Sequence, residues 1–315
     1  MMLKQKKICI IFCAEPEVIG QSRVTEQSLA IWARNFFELS LIAKVDTKLI
    51  WQGNGLDLTH CEWYQVAQAI YLARNKYDGF VVLHSAEQVL FAANYAKLAL
   101  ASLKKPVVFT TTAVQIEHFD FGDEFFGDFT NFTSRNNVLN AMQTSCVLER
   151  GVVLLAGSSI VNAEKAIHTA YTHVNLFASV DDQPLGSITL DLDIKVKRKQ
   201  IIKHSSNIFP KKIPKQVLFL DVNFSILPSS EELAKTDMLV IKAGEVNLVP
   251  SSWEKVLLDF SGLIVCYGIE PVNQTKLSKK TFFLSDMTFE QAAAQAVWAY
   301  GVASNQVKIN KLLKS

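Results

Sequence analysis

The chain has 315 residues, 49% of them hydrophobic and 20% charged, which is enough apolar material for one large core or two smaller ones and excludes a disordered or fibrous protein. The formal net charge of +2 conceals an asymmetry: residues 195–215 hold seven lysines and Arg198 with no acidic residue, so that segment carries +8 and the remainder of the chain −6. Within it stand a single aromatic residue, Phe209, and two prolines, Pro210 and Pro214, a pattern expected of a solvated linker and not of a nucleic-acid groove, where stacking residues alternate with basic ones.

In chain order, Lys4 to Lys7 followed by the apolar run Ile8 to Ala14 imitates the start of a secretory signal, but Glu15, Pro16 and Glu17 stand where small cleavage-site residues belong. The expected reading is a buried strand over Lys7 to Cys13 in a cytoplasmic protein. Leu29, Trp32, Phe36, Phe37, Leu39 and Ile42 recur at steps of three and four, the spacing of a helix. Thr47 to Trp51 reads as a strand, Glu62 to Arg74 as a helix, Gly79 to Leu83 as a strand and Glu87 to Leu103 as a helix. Lys97, Lys104 and Lys105 interrupt this most apolar helical stretch, and no window reaches the roughly 18 apolar residues of a membrane span. No membrane partner is therefore expected.

Pro106 to Thr110 reads as the next strand, residues 117–133 as one long loop, and Ser134 as the N-cap of a helix ending near Leu148. Gly151 to Ala156 is the last clear strand of this half. After the basic segment the alternation resumes with strands at Gln216 to Val222, Met238 to Ile241, Gly262 to Cys266 and Thr281 to Leu284. Helices are expected at Ser251 to Asp259 and at Thr288 to Ala303. The expected architecture is α/β: a larger, doubly wound N-terminal domain over residues 1–194, a basic linker over 195–215, and a smaller C-terminal α/β domain over 216–315. Ligands of such folds bind at the carboxyl ends of the strands.

Several segments, in this order, resemble the bacterial-type L-asparaginases and their glutaminase relatives. KKICIIFCAEPE stands where that family has a strand and a TGGTI turn, and YDGFVVLHSAEQ resembles its YDGFVVTHGTDT. Lys105 to Val108 resembles its KPVV strand, Asn137 to Ala141 its NLxNA helix, Gly151 to Leu155 its GVLVV strand, Ile167 to Phe177 its TKTHTT segment and Pro184 to Ile188 its PLGYI turn. The resemblance implies the asparaginase-like two-domain fold and a homodimer or homotetramer.

It also implies an amidohydrolase with a threonine nucleophile and a second assembly of threonine, lysine and aspartate, and here the residues depart from it. Pro16 takes the place of the nucleophilic threonine; a shift of register in the first turn would put Cys13 or Glu15 there instead. Ala86 and Glu87 replace the second threonine and the aspartate, and His168 replaces the lysine. The family's early tyrosine has no counterpart, since the first tyrosine is Tyr64. Asn54-Gly55-Leu56-Asp57, ahead of Trp63, replaces the serine-bearing turn that holds a substrate carboxylate.

The expected pocket is thus Cys13, Glu15, Pro16, Asp57, His84, Ser85, Ala86, Glu87 and His168, and none of them is assigned as catalytic. Five simultaneous departures favour a protein that has lost amide hydrolysis and retains a small-ligand or assembly role, with Glu15, Glu17 and Glu87 favouring an amine or other cation. The alternative is an active amidohydrolase with a rewritten site in which Ser85 or Cys13 is the nucleophile and His168 and Glu87 assist it. Five cysteines without a CxxC pair, and His60-Cys61-Glu62 without a partner cluster, give no metal site. The absence of GxGxxG and Walker motifs gives no nucleotide; no cofactor is expected.

Overall fold

The computed structural model describes residues 5–111, 129–169, 175–189, 193–197, 208–243, 249–268, 280–303 and 306–313; at 129–134, 306 and 310 it describes the backbone alone. The chain divides into two compact units, Met1–Asn207 and Ile208–Ser315.

In the first unit, β1 (Lys7–Ala14), β2 (Lys44–Gln52), β3 (Gly79–His84), β4 (Pro106–Thr110) and β5 (Gly151–Ala156) form the parallel part of a sheet. Every residue of β3 and β4 is buried, as is every residue of β1 after Lys7, so these strands read as unbroken apolar runs covered on both faces. Alternation sends Ile8, Ile10, Phe12 and Ala14 to the same core as Val81, Leu83, Val108, Val153 and Leu155. There they meet α1 (Glu26–Asn35), α2 (Phe37–Ile42) and α5 (Phe129–Val147), through residues such as Leu29, Leu39 and Met142. The opposite face is covered by α3 (His60–Ala73) and α4 (Val89–Ala99).

The parallel strands run in the order β5-β4-β3-β1-β2. Chain progression therefore reverses between β1 and β3, and the loops leaving these two strands diverge to opposite faces, opening a crevice between their carboxyl ends. Beyond β5 the sheet continues antiparallel through β6 (Ser159–Asn162), β9 (Gly186–Ile188) and β10 (Ile194–Val196), while β7 (Ala166–His168) and β8 (Phe177–Ser179) make a separate two-stranded sheet.

In the second unit β11 (Val217–Asp221), β12 (Met238–Lys242), β13 (Leu263–Tyr267) and β14 (Thr281–Leu284) are parallel and lie in that order, with α6 (Ser230–Lys235), α7 (Ser251–Asp259), α8 (Phe289–Val302) and α9 (Gln306–Leu313). The Thr288 hydroxyl caps α8 by accepting from Gln291 N. Gly301 lets this helix approach the chain at Lys211 and Lys212: an added Cβ would strike the Lys212 carbonyl.

Four expectations are corrected. The helix expected from Leu29 to Ile42 breaks at Phe36, whose φ of −83° and ψ of 75° separate α1 from α2. The Phe36 ring lies edge-on to Trp32 and under the Arg135 guanidinium, contacts made possible by that break. Helix α5 starts at Phe129, so Ser134 lies inside it and residues 129–133 are not loop; 117–128 lie outside the described residues. Glu87 precedes α4 instead of opening it. The basic segment does not begin as a linker, because Ile194–Val196 pairs with β9 as an edge strand; residues 198–207 lie outside the described residues.

One buried ion pair ties α4 to the turn after β6. Lys97 Nζ stands 2.6 Å from Glu164 Oε2 and donates to Asn162 Oδ1 at 2.6 Å, with both charged side chains under 15% exposed. Burial draws the Lys97 ammonium pKa down, and Glu164 pulls it back up. Lys97→Met removes the cation facing Glu164 and is expected to cost about 3–5 kcal/mol in urea unfolding, with Lys97→Met/Glu164→Met recovering most of the loss.

Candidate functional site

The crevice between β1 and β3 is built by two adjacent chain exits. The strands pair in register up to Cys13 and His84, and Ser85 N then donates to Cys13 O at 3.1 Å, carrying the ladder one bond further. Ala14 ends β1, Glu15 follows, and Pro16 opens a short 3-10 turn, Pro16–Ile19, where its missing N–H is no loss. On the other side, Ser85, Ala86 and Glu87 lead from β3 toward α4.

A third segment closes the corner. Asn54 caps the 3-10 turn Gly55–Asp57 by accepting from Leu56 N, and Gly55 N donates to Glu15 Oε1 at 2.9 Å across 40 residues of sequence. Ser85 is 1% exposed and its hydroxyl donates to Glu87 Oε2. Glu15 is half-buried and shares a hydrogen-bonding contact with the same serine. A Cβ built on Gly55 would overlap Ser85 Oγ and Glu87 Oε2 and come within 2.5 Å of Glu15 Oε1, so three side-chain oxygens converge on the place a side chain at 55 would fill. Gly55 has no Cβ, and that absence makes the convergence possible.

Burial raises the Glu15 carboxyl pKa and the Glu87 charge adds to it, against the hydrogen bonds from its own backbone, Ser85 and Gly55. His84, fully buried at the end of β3, has Nδ1 3.0 Å from the Ser85 carbonyl, so Nδ1 carries the proton and donates, steadying the Ser85 peptide. Its Nε2 has no hydrogen-bond partner among the described residues, and burial lowers its pKa to about 4 despite the Ser85 carbonyl, Glu87 and Glu62.

The structure thus brings together Glu15, Ser85 and Glu87, with His84 beneath them. Cys13 is completely buried, and its thiol pKa is pushed up by desolvation and by Glu62 and Glu15, which makes it a packing residue and not a thiolate. Ala86 is buried, Pro16 half-buried, and Glu17 and Asp57 are exposed, with the Asp57 backbone N donating to Asn54 O. His168 ends β7, its ring 5.4 Å from that of Phe177; His173 lies outside the described residues. The role of Gly55 was not foreseen from its position, since the three oxygens it admits come from segments 30 to 40 residues away. Among the described residues no three His, Cys, Asp or Glu side chains are grouped to hold a metal ion, and no helix is long and apolar enough to cross a membrane.

With this geometry established, comparison with known proteins gives consistent results. The profile of the asparaginase N-terminal domain matches residues 20–202, more than half of the sequence. The chain belongs to the asparaginase family. The thermostable L-asparaginase from Thermococcus kodakarensis shares its fold, with a TM-score of 0.72 over 98% of this chain and 97% of that one at 16% identity. The 60 kDa lysophospholipase of Mus musculus is 43% identical over 60 residues, which is 19% of this chain and 11% of that protein. The 60 kDa lysophospholipase of Homo sapiens is 29% identical over 140 residues, 44% of this chain and 22% of that protein. The matched part thus spans less than a quarter of the length of either lysophospholipase.

Within this asparaginase-family crevice, His84 sets a pH dependence. Its folded pKa near 4 lies below the unfolded value near 6.5, so in between the unfolded chain binds more protons. Stability is therefore expected to fall as pH drops from about 6.5 to about 4, by on the order of 3 kcal/mol. Glu15 acts in the opposite sense: its raised pKa makes stability fall as pH rises above 4.5. Urea midpoints of wild type and His84→Gln across this range isolate the histidine, and the variant is expected to show the flatter acid limb.

Proposed function

We propose that this asparaginase-family chain does not hydrolyse asparagine or glutamine and that its cleft takes an amine or another small cation. The observation that carries the reading is the convergence of Glu15 and Glu87 on the Ser85 hydroxyl. Pro16 and Ala86, where the family resemblance places two threonines, have no hydroxyl to offer. The Ser85 hydroxyl already donates to the Glu87 carboxylate, and no neutral imidazole stands in that place to take its proton. The two carboxylate oxygens each lie within about 2.5 Å of one point and hence within about 5 Å of each other; at an effective dielectric near 20, unit charges at that distance repel by about 3 kcal/mol. A cation relieves this repulsion, whereas the carboxylate of a free amino acid adds to it.

The test is ammonia release by the purified protein with asparagine, glutamine and a panel of simple amides, paired with calorimetric titration of methylammonium and of aspartate. No ammonia above background, with heat from methylammonium alone, is the expected result. Turnover of either amino acid, or binding confined to aspartate, overturns the proposal.

The Ser85–Glu87 hydrogen bond also favours a second reading, a hydrolase of another acyl bond that uses Ser85 as nucleophile with Glu87 and His168. The name of the lysophospholipase relatives adds a lysophospholipid ester to the substrates to be tried. In that case Ser85→Ala and His168→Ala abolish turnover while the melting temperature stays within a few degrees; turnover that survives both substitutions overturns it. The family resemblance further supports a homodimer or homotetramer as the assembly.

A further inference from the structure

The corner between β1 and β3 holds a carboxylate of the chain itself, that of Glu15. The Gly55 N–H, which points into the corner between β1 and β3, is taken by Glu15 Oε1 at 2.9 Å. The Ser85 hydroxyl, the other donor in the corner, is taken by Glu87. The first contact is not local: Glu15 reaches Gly55 from a chain exit 40 residues earlier, and the residue it meets is one whose missing side chain leaves room for three oxygens. Glu15 follows directly on β1, whose backbone is held by β3 on one side and β2 on the other, so its side chain is delivered to the corner by the sheet itself.

We propose that the Glu15 side chain is a tethered ligand that fills a small monocarboxylate site at the Gly55 N–H, beside Ser85, closing that site to free carboxylates. The inference deepens the reading given above, because it concerns the same cleft and explains why an anionic substrate finds no place there. It does not require the corner to tolerate more negative charge than it already holds. Exchanging the Glu15 carboxylate for a free one leaves the charge near Glu87 unchanged, with Glu62 and His84 as the further titratable groups facing the corner from α3 and β3.

Glu15→Ala removes the tether and leaves space of about the size of acetate, with Gly55 N–H as its donor. The experiment follows thermal melting of the full chain during titration with sodium acetate, against sodium chloride at equal ionic strength. The Glu15→Ala protein is expected to gain a saturable shift of about 3 °C at roughly ten times the dissociation constant of acetate. Wild type and Glu15→Gln are expected to respond to acetate no more than to chloride, since a glutamine oxygen still accepts from Gly55. Should Glu15→Ala not fold, Glu15→Ser keeps a smaller vacancy and serves in its place. Gly55→Ala added to either variant puts a methyl group where the oxygens converge and is expected to abolish the response.

An acetate response no larger than that to chloride in the alanine or serine variant overturns the proposal. So does an equal response in wild type, or stabilisation of the variant by methylammonium chloride in place of acetate. Ammonia release is measured on the same wild-type sample. Turnover there defeats the non-hydrolytic reading without touching the acetate result, and a missing acetate response defeats the tethered-ligand proposal without touching the other.

Discussion

The hydrogen bond from Ser85 N to Cys13 O is the constraint on which the site depends. Parallel strands share no turn, so two chain exits become neighbours only where the ladder between their strands persists to the last residue. Here it persists one residue past the Cys13–His84 pair, and Glu15 and Ser85 emerge side by side. The strand order supplies the rest: the reversal between β1 and β3 keeps the outgoing loops apart and leaves the crevice open. His84 adds a second lock from below, its ring donating to the Ser85 carbonyl, and this neutral imidazole is kept neutral by the apolar layer that includes Phe109.

The parallel core was legible in the sequence because strands buried on both faces write themselves as continuous apolar runs, of which Gly79 to Leu83 and Pro106 to Thr110 are the clearest. What escaped were the elements without such a signature. β9 and β10 are three residues each, Gly-Ser-Ile and Ile-Lys-Val, too short to write a period of their own, and they pair at the edge of the sheet. The break at Phe36 escaped because the helical spacing runs through it unchanged; an aromatic contact with Trp32 and a cation from Arg135 hold the break in place.

The site was legible to a similar degree. Glu15, Ser85 and Glu87 stand out where family motifs are expected and differ from them, and each is found in the crevice. Their partnership was not legible, because a sequence does not say which donor meets which acceptor. Ser85, a nucleophile with His168 and Glu87 only in the alternative reading, donates its hydroxyl to the carboxylate two residues on. Cys13, an equal option on paper, is withdrawn by the alternation of β1 into a layer without solvent.

Gly55 couples four positions for anyone who would engineer this cleft. Any side chain at that position would meet the ends of the Ser85 and Glu87 side chains and crowd Glu15. A side chain at 55 therefore requires the ends of those three side chains to swing away from where they now converge. Positions 15, 55, 85 and 87 are thus coupled in design: shortening residues 15 or 87 frees the space that a longer residue at 55 would take.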